Sequence, residues 1–250
     1  MSKAGRKPSR IKSLKNGYYF SISGSALSLK PIRLMRSSKF DIDIAEKDFG
    51  GLVIGNEGAH FSAGANLGMI FMMSVEQEYD EINMAIKYFQ DTMMRLRYSS
   101  IPTIAAPHGL TLGGGCELTM HCDKAVVNPE TYIGLVEVGA GLIPGGGGSK
   151  EMTMRASEKF SKNDVEVNVL QEYFLNIGMA KTSTSAHEAF EIGLLEKSKD
   201  LVLMNKNSQI AIAKKYAILL SESGYVPPLR GKNIKAVSYT HLTLPTKRIV

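Results

Sequence analysis

Short apolar segments alternate along the chain with longer segments in which apolar and polar residues are mixed. Between residues 75 and 97 apolar side chains recur every three or four positions, which is typical of an amphipathic helix. Residues 52–55 and 103–106 are short continuous apolar runs, and such runs favour buried strands. The same spacing rules predict further helices at 41–49, 116–121, 149–155, 165–178, 187–193 and 208–221, and extended segments at 60–62, 124–128 and 132–134. Short strands between helices indicate an α/β fold.

Length and composition fit one domain with a substantial core, since the chain has 250 residues of which 44% are hydrophobic. No apolar run approaches the roughly 18 residues that span a membrane, and the basic N-terminus is not followed by the apolar segment of a secretion signal. Cys116 and Cys122 cannot form a disulfide framework, which fits a reducing compartment. We therefore expect a cytoplasmic protein without a membrane span.

The net charge of +6 is concentrated at the two ends of the chain. Residues 1–40 carry ten Lys and Arg, residues 237–250 carry two, and neither segment has an Asp or Glu. The remaining 18 basic residues lie with all 24 acidic residues in 41–236. A basic nucleic-acid-binding domain would not have this distribution, so we expect no nucleic-acid partner. The basic arm is interpreted as solvated, with binding to RNA or an anionic surface as the alternative.

A glycine-rich segment at 139–148 contains six Gly and one Pro and is a candidate for phosphate binding. A Walker loop ends in Gly-Lys-Ser/Thr, whereas this segment continues Gly148-Ser149-Lys150. A dinucleotide fingerprint would need glycine at position 144, which is Pro144. Neither nucleotide motif is therefore present.

Candidate metal ligands cluster on the helix predicted at 116–121. Glu117 and His121 share one face of that helix, between the two cysteines. The segment lacks H-E-x-x-H and a second cysteine pair, so no metal site is expected and helix packing is the simpler interpretation. Ser62 resembles the serine of a nucleophile elbow, but His60 replaces the first glycine of that motif.

Three segments carry a more specific signal when they are taken together. They read Phe-Ser-Ala-Gly-Ala-Asn-Leu at 61–67, Leu-Gly-Gly-Gly-Cys-Glu-Leu at 112–118 and Tyr-Ile-Gly-Leu-Val-Glu at 132–137. In this order they resemble the crotonase family, also called the enoyl-CoA hydratase/isomerase family, over residues 41–225. Within it they are most similar to the crotonase-like part of bacterial multifunctional 3-hydroxyacyl-CoA dehydrogenase proteins. No dehydrogenase domain is recognisable in the sequence, so that activity is not carried over.

The resemblance implies a crotonase-like ββα superhelix that hydrates the 2,3 double bond of a 2-enoyl-CoA thioester in fatty-acid β-oxidation. It implies that Glu117 and Glu137 are the catalytic carboxylates and that the N–H groups of Ala65 and Gly114 form an oxyanion hole. The further substrate-binding residues that it implies are Ala63, Gly64, Asn66, Leu67, Gly113, Pro144 and Gly145. CoA would enter as part of the substrate, with no bound cofactor and no metal.

Alternatives remain open from the residues alone. Isomerisation of a double bond can proceed with one carboxylate, so the presence of two favours a hydratase. A catalytically inactive fragment that acts only as a binding or interaction module is a second alternative. Separately, each glutamate taken alone could be an ordinary surface residue, one on a helix and one in a loop. For partners, the resemblance implies a homo-oligomer based on a trimer, or a fused or associated dehydrogenase domain.

Both ends depart from the family pattern. Residues 18–40 lack the expected strands and the segment that holds the CoA adenine, and we interpret the basic, irregular segment 1–40 as shifted in reading frame. Residues 237–250 resemble a translated sequencing adapter. Residues 226–236 would then be a linker to missing C-terminal helices, and the fold would be truncated at its C-terminus. A smaller departure is Asn66, where the family has aspartate.

Overall fold

The computed structural model describes residues 12–14, 17–21, 42–159, 167–231 and 234. The hypothesis of a sequencing adapter at 237–250 lies outside these residues, as does most of the hypothesis of a reading-frame shift within 18–40. The described residues of the expected linker, 226–231 and 234, contain no helix or strand.

The described strands form one six-stranded sheet and one two-stranded sheet. In chain order they are β1 Lys12–Leu14, β2 Gly17–Ser21, β3 Leu52–Gly55, β4 Thr103–Ala105, β5 Gly109–Leu112, β6 Lys124–Val127, β7 Thr131–Gly134 and β8 Leu201–Val202. The large sheet has the order β1-β2-β3-β4-β6-β8, and β5 pairs with β7. All pairs are parallel except β1 with β2.

Helices cover both faces of the large sheet. They are α1 at 42–48, α2 Leu67–Val75, α3 Tyr79–Arg97, α4 Gly114–His121, α5 Gly148–Lys159, α6 Val167–Gly178, α7 Ala186–Glu191 and α8 Gln209–Glu222. The described residues also form two short 3-10 helices, Glu137–Ala140 and Lys206–Ser208. This arrangement of a parallel sheet between helices confirms the predicted α/β class.

The central strands are buried on both sides because their alternate side chains enter two separate apolar clusters. Val53, Ile104 and Val126 pack with Ala213 and Ala217 of α8 on one face. The residues between them, including Leu52, Ile54, Ala105 and Ala125, pack against α3 and α4 on the other face. The helix that carries Glu117 is therefore anchored to the main core, which gives its side chains a fixed position.

The helices and strands differ from the prediction at two places. The helix expected at 75–97 begins at Tyr79, because the chain turns at Gln77, whose φ is +57°, and the preceding helix α2 is not predicted from the sequence. Before residue 41 the sequence predicts no strand, whereas the structure contains the antiparallel pair β1 and β2. The aromatic run Tyr18-Tyr19-Phe20 has high strand propensity, and its backbone pairs with β3 in parallel register.

The region between 107 and 112 also differs from expectation. No strand is predicted there from the sequence, and the structure places strand β5 at Gly109–Leu112. The extended segment expected at 60–62 pairs at one position only, through an isolated parallel bridge between Ser62 and Thr111.

Candidate active site

The candidate site begins at the isolated bridge between Ser62 and Thr111, which brings the segment 61–67 beside the segment 112–118. The Ser62 N–H donates to the Leu110 carbonyl and the Leu112 N–H donates to the Ser62 carbonyl, both at 2.9 Å. Because the bridge between Ser62 and Thr111 is parallel, Ala65 and Gly114 each lie three residues beyond it on adjacent segments. The bridge therefore directs the two predicted oxyanion-hole residues toward the same end of the site.

Glycine is required at two points where these segments approach each other. Gly64 and Gly113 have φ values of +91° and +53°, a region that other residues rarely adopt. A Cβ atom on Gly113 would lie 3.8 Å from the Gly64 Cα and 3.4 Å from Glu137 Oε1. Glu137 therefore borders the junction of the two motifs.

The backbone N–H groups of Ala65 and Gly114 are unused in the described part of the chain, where neither donates a hydrogen bond. Ala65 is exposed, and Gly114 is the first residue of α4, so its N–H belongs to the unpaired first turn of that helix. Free donors at a helix N-terminus favour negative charge. Two such donors can together stabilise an oxygen atom on which charge develops.

Glu117 extends from α4 into the glycine-rich segment, and its side chain is only 1% exposed. Its Oε1 accepts hydrogen bonds from the N–H groups of Gly146 and Gly148, each at 2.8 Å. A Cβ atom on Gly148 would lie 3.1 Å from the same oxygen, so the backbone approach depends on glycine. The glycine-rich segment thus holds an anion as its composition suggests, but that anion is a carboxylate of the chain itself.

The protonation of Glu117 is set by opposing influences. Burial raises the pKa of Glu117 to about 7, and the negative charge of Glu137 contributes in the same direction. The hydrogen bonds from Gly148 and Gly146 act against this rise. A carboxyl group with this pKa exchanges its proton readily near neutral pH, as a general acid or base requires.

Glu137 is the first residue of the 3-10 helix Glu137–Ala140 and is partly buried. Burial raises its pKa above the ordinary value. Its Oε2 atom is buried and has no hydrogen-bond partner among the residues that the structure describes. The structure therefore brings together two electrostatically coupled carboxylates, one held by backbone donors and one with an unpartnered oxygen.

The remaining predicted residues occupy the rim of this arrangement. Asn66 caps α2, with its side-chain oxygen accepting from the Met69 N–H at 3.2 Å, so an amide replaces aspartate there without loss of the cap. Ala63 and Leu67 are exposed on either side of Gly64 and Asn66. Pro144 is buried and precedes Gly145, whose carbonyl accepts a hydrogen bond from Gln90.

Sequence reasoning missed the contribution of α3. The Phe89 ring lies against two glycines, since a Cβ atom on Gly114 would be 2.9 Å from Phe89 Cζ and one on Gly146 would overlap the ring. Gln90 Nε2 donates to the Gly145 carbonyl at 2.8 Å. In the sequence these residues read as ordinary positions of an amphipathic helix, so no local signal identifies them.

His121 lies one turn beyond Glu117 on α4 and is also buried. Its Nδ1 lies 2.6 Å from the Glu117 carbonyl oxygen, and Lys150 Nζ lies 3.0 Å from its Nε2. Burial lowers the pKa of His121 to about 4, so the ring is neutral at pH 7. A neutral ring with these neighbours has its proton on Nδ1, which donates to the carbonyl, while Nε2 accepts from Lys150. Within the described residues no group of metal-binding side chains is found.

A buried ionic cluster lies on the far side of His121. Glu151 is 1% exposed and pairs with Lys150 at 2.7 Å and with Arg97 at 3.2 Å. Arg97, Glu151 and Arg155 line a cavity of about 190 Å³, which none of the predicted site residues borders. We interpret this cluster as support for α4 and α5 rather than as part of the site.

Comparisons with known proteins show which proteins this chain is similar to. A profile of the family described as "Enoyl-CoA hydratase/isomerase" matches residues 40–198. A Bacillus subtilis (strain 168) protein named "Probable 3-hydroxyacyl-CoA dehydrogenase" is 38% identical over 213 residues, which are 85% of this chain and 26% of that protein. A Rickettsia felis protein named "Putative fatty acid oxidation complex trifunctional enzyme" is 42% identical over 112 residues, 45% of this chain and 16% of that protein.

The fold is also that of solved enoyl-CoA hydratase structures. The crystal structure of an enoyl-CoA hydratase from Polaromonas sp. JS666 superposes with a TM-score of 0.66 at 22% identity, covering 84% of this chain and 77% of that one. The predicted crotonase-like fold is therefore confirmed. This chain spans about a quarter or less of the length of the two relatives named above. In its described part, no helix is long and apolar enough to cross a membrane.

Proposed function

The chain belongs to the enoyl-CoA hydratase/isomerase family, and we propose that it adds water across the 2,3 double bond of a 2-enoyl-CoA thioester in fatty-acid β-oxidation. One observation carries this proposal. Two coupled carboxylates with raised pKa values, Glu117 and Glu137, border the segments whose unused N–H groups belong to Ala65 and Gly114. Hydration of a conjugated thioester needs both of these features.

The two N–H groups supply the electrostatic part of catalysis. Attack of water at C3 moves negative charge onto the thioester oxygen, which becomes an enolate oxygen. Donors from Ala65 and Gly114 would bind this oxygen more tightly as its charge grows. Removal of one such donor typically raises the activation barrier by about 3 kcal/mol. The position of Gly114 at the start of α4 adds the favourable end of the helix dipole.

The two carboxylates supply the proton transfers. One ionised carboxylate removes a proton from water as its oxygen bonds to C3, and one protonated carboxyl group gives a proton to C2. The pair then holds one proton again, so no net proton is gained or lost. Burial, together with the negative charge of Glu137, raises the pKa of Glu117 to about 7, so Glu117 can hold or release such a proton near neutral pH.

The exposed apolar surface of α2 favours a substrate in which the thioester carries an apolar acyl chain. This helix begins at Leu67, the last residue of the segment 61–67, and it exposes Leu67, Phe71, Met72 and Val75 while Met73 is buried. Exposed apolar side chains in a row beside a polar site are typical of a surface that binds a hydrophobic group.

The partners expected from the sequence remain proposals. The printed names of the two relatives describe a dehydrogenase and a trifunctional fatty-acid oxidation enzyme, both much longer than this chain. These names support a dehydrogenase region fused to, or associated with, the native hydratase region. A homo-oligomer based on a trimer is the other assembly that we propose.

The test is to incubate the purified 250-residue chain with crotonyl-CoA and follow the ultraviolet absorbance of the conjugated thioester. Hydration removes the conjugation, so the absorbance falls and 3-hydroxybutyryl-CoA accumulates. A 3-enoyl-CoA in a parallel reaction tests isomerisation, which instead creates the conjugated absorbance. Isomerisation without hydration would replace the proposed reaction by the isomerase, and turnover of neither substrate by the folded chain would favour a binding module.

A further inference from the structure

A single peptide unit of the glycine-rich segment connects α3 to Glu117. The carbonyl oxygen of Gly145 accepts a hydrogen bond from Gln90 Nε2 at 2.8 Å. The N–H of Gly146, on the other side of the same peptide bond, donates to Glu117 Oε1 at 2.8 Å. Gln90 and the Glu117 carboxylate therefore hold opposite ends of one planar group.

The planarity of the peptide makes these two hydrogen bonds interdependent. In a trans peptide the carbonyl oxygen and the amide hydrogen point in opposite directions, so fixing one direction fixes the other. Glycine on both sides of this bond gives the peptide unusual freedom to rotate. A rotated peptide would present the Gly145 carbonyl, rather than the Gly146 N–H, to Glu117.

We propose that Gln90 is a positioning residue for Glu117, which keeps the Gly145–Gly146 peptide in the orientation that donates a hydrogen bond to the carboxylate. Its catalytic consequence rests on the proposed function, whereas its effect on Glu117 does not. In the described chain no other side chain binds the Gly145 carbonyl. Gln90 itself is exposed, so the core does not depend on it.

The helix that carries Gln90 is a suitable support for this role. The preceding residue, Phe89, lies against both Gly114 and Gly146, so α3 packs on the start of α4 and on the glycine-rich segment at once. The packing of Phe89 fixes how close α3 lies to the glycine-rich segment, and the hydrogen bond from Gln90 fixes the direction of the Gly145 carbonyl. Together these residues connect the predicted oxyanion-hole segment to the segment that holds Glu117.

The test is direct titration of Glu117 by NMR in protein labelled with carbon-13 at the glutamate carboxyl groups. Loss of one resonance in Glu117→Gln identifies the signal. In Gln90→Met the side chain keeps its size but loses its donor, so the Gly146 hydrogen bond that favours the ionised carboxylate is weakened. We expect the midpoint to rise by about half a pH unit or more, because weaker hydrogen bonding to the charged form raises an acid's pKa.

Two further variants serve as controls, and the comparison is repeated in protein that also carries Glu137→Gln. Gln171→Met makes the same change at an exposed position of α6, where the glutamine has no side-chain hydrogen bond to a described residue, and should leave the midpoint unchanged. Gln90→Lys keeps a donor long enough to reach the Gly145 carbonyl and should return the midpoint at least to the wild-type value, since its positive charge also favours the ionised carboxylate. The negative charge of Glu137, the charged group that faces Glu117, also raises the pKa of Glu117. If Gln90 acts through the Gly146 hydrogen bond, the rise in midpoint caused by Gln90→Met should persist in a Glu137→Gln background, where that charge is absent.

Kinetics supply the second readout. In Gln90→Met we expect kcat to fall several-fold with little change in KM, and the pH profile to move with the titration midpoint. An unchanged midpoint in both Gln90→Met and Gln90→Ala, each with the thermal stability of the wild type, would overturn the proposal. The titration needs no substrate, so a shifted midpoint in a chain that hydrates no enoyl thioester would sustain this inference while refuting the proposed function.

Discussion

Glu117 Oε1 lies 2.8 Å from the backbone nitrogen of Gly148 and accepts its hydrogen bond. The bond joins α4 to the start of α5 across 31 residues, with Gly146 contributing a second donor to the same oxygen. Backbone donors of this kind lower the pKa of a carboxylate, yet burial and Glu137 still raise the pKa of Glu117 to about 7. Glu117 is thus held in place without being locked in its charged form.

This raised pKa predicts a pH-dependent contribution to stability. An acid whose pKa rises from 4.5 to about 7 on folding binds its proton more tightly in the folded state. The stabilisation is complete below pH 4.5 and is lost as the pH rises toward 7. The loss is on the order of 3 kcal/mol of unfolding free energy, by the conversion of pKa differences into energy.

Denaturant unfolding of the wild type and of Glu117→Gln across this pH range measures that loss. The amide cannot ionise, so the difference in unfolding free energy isolates the titration of Glu117. We expect the wild type to lose stability relative to Glu117→Gln between pH 4.5 and 7. A difference that stays constant with pH would show that the pKa of Glu117 is not raised.

Gly146 should tolerate no side chain. A Cβ atom there would overlap the Phe89 ring and lie 2.5 Å from Glu117 Oε2. We expect Gly146→Ala to lower the unfolding free energy by about 1–3 kcal/mol, the usual cost of overpacking, and to abolish hydration by displacing Glu117. Gly178→Ala is the matched control, since a Cβ atom at that helix terminus meets nothing within 4 Å. Equal stability and activity of the two variants would contradict the packing described for the glycine-rich segment.

The ionic cluster beyond His121 should depend on Glu151. Replacement by glutamine would leave Lys150 and Arg97 without their buried counter-charge. Removal of one partner from a buried pair typically costs about 3–5 kcal/mol, and partial exposure of Lys150 places this case near the lower end. Thermal or denaturant unfolding of Glu151→Gln tests this value against Glu172→Gln, which changes an exposed glutamate on α6. A cost below about 1 kcal/mol would mean that the cluster is not structurally important.

The sequence pattern predicts the elements whose periodicity is clear and misses those defined by their context. The helix at 79–97 and strand β3 follow from the spacing and runs of apolar residues. Helix α2 is apolar on nearly every side, so it has no amphipathic period, and only the capping residue Asn66 could have indicated its start. Strand β5 is missed because Pro107 and Gly109, residue types common in turns, lie at its start, and Gly109 is in fact the first residue of the strand.

The site shows the same division between motif and context. The resemblance to a family identifies Glu117 and Glu137, and local sequence cannot show what surrounds them. The hydrogen bond from Gln90 to Gly145 spans 55 residues, and the register of Ser62 with Thr111 is a single isolated bridge. Contacts of this kind depend on the packing of α3 and the two motifs, so a structure is needed to find them.

The chemistry proposed for the two carboxylates is tested by replacing each with its amide. Glutamine can accept the same backbone hydrogen bonds as Glu117 but cannot transfer a proton at neutral pH. Since general acid–base catalysis typically contributes about 10²–10⁴-fold, we expect Glu117→Gln and Glu137→Gln each to lose at least about 100-fold in hydration rate. Glu172→Gln is the exposed control and should keep the wild-type rate.

The most direct measurement is therefore the initial rate of crotonyl-CoA hydration for the wild type and these three variants, with folding verified by circular dichroism. We expect clear hydration by the wild type and Glu172→Gln, and a loss of at least about 100-fold in both Glu117→Gln and Glu137→Gln. A wild-type rate in either folded Glu117→Gln or Glu137→Gln would contradict the assignment of two catalytic carboxylates.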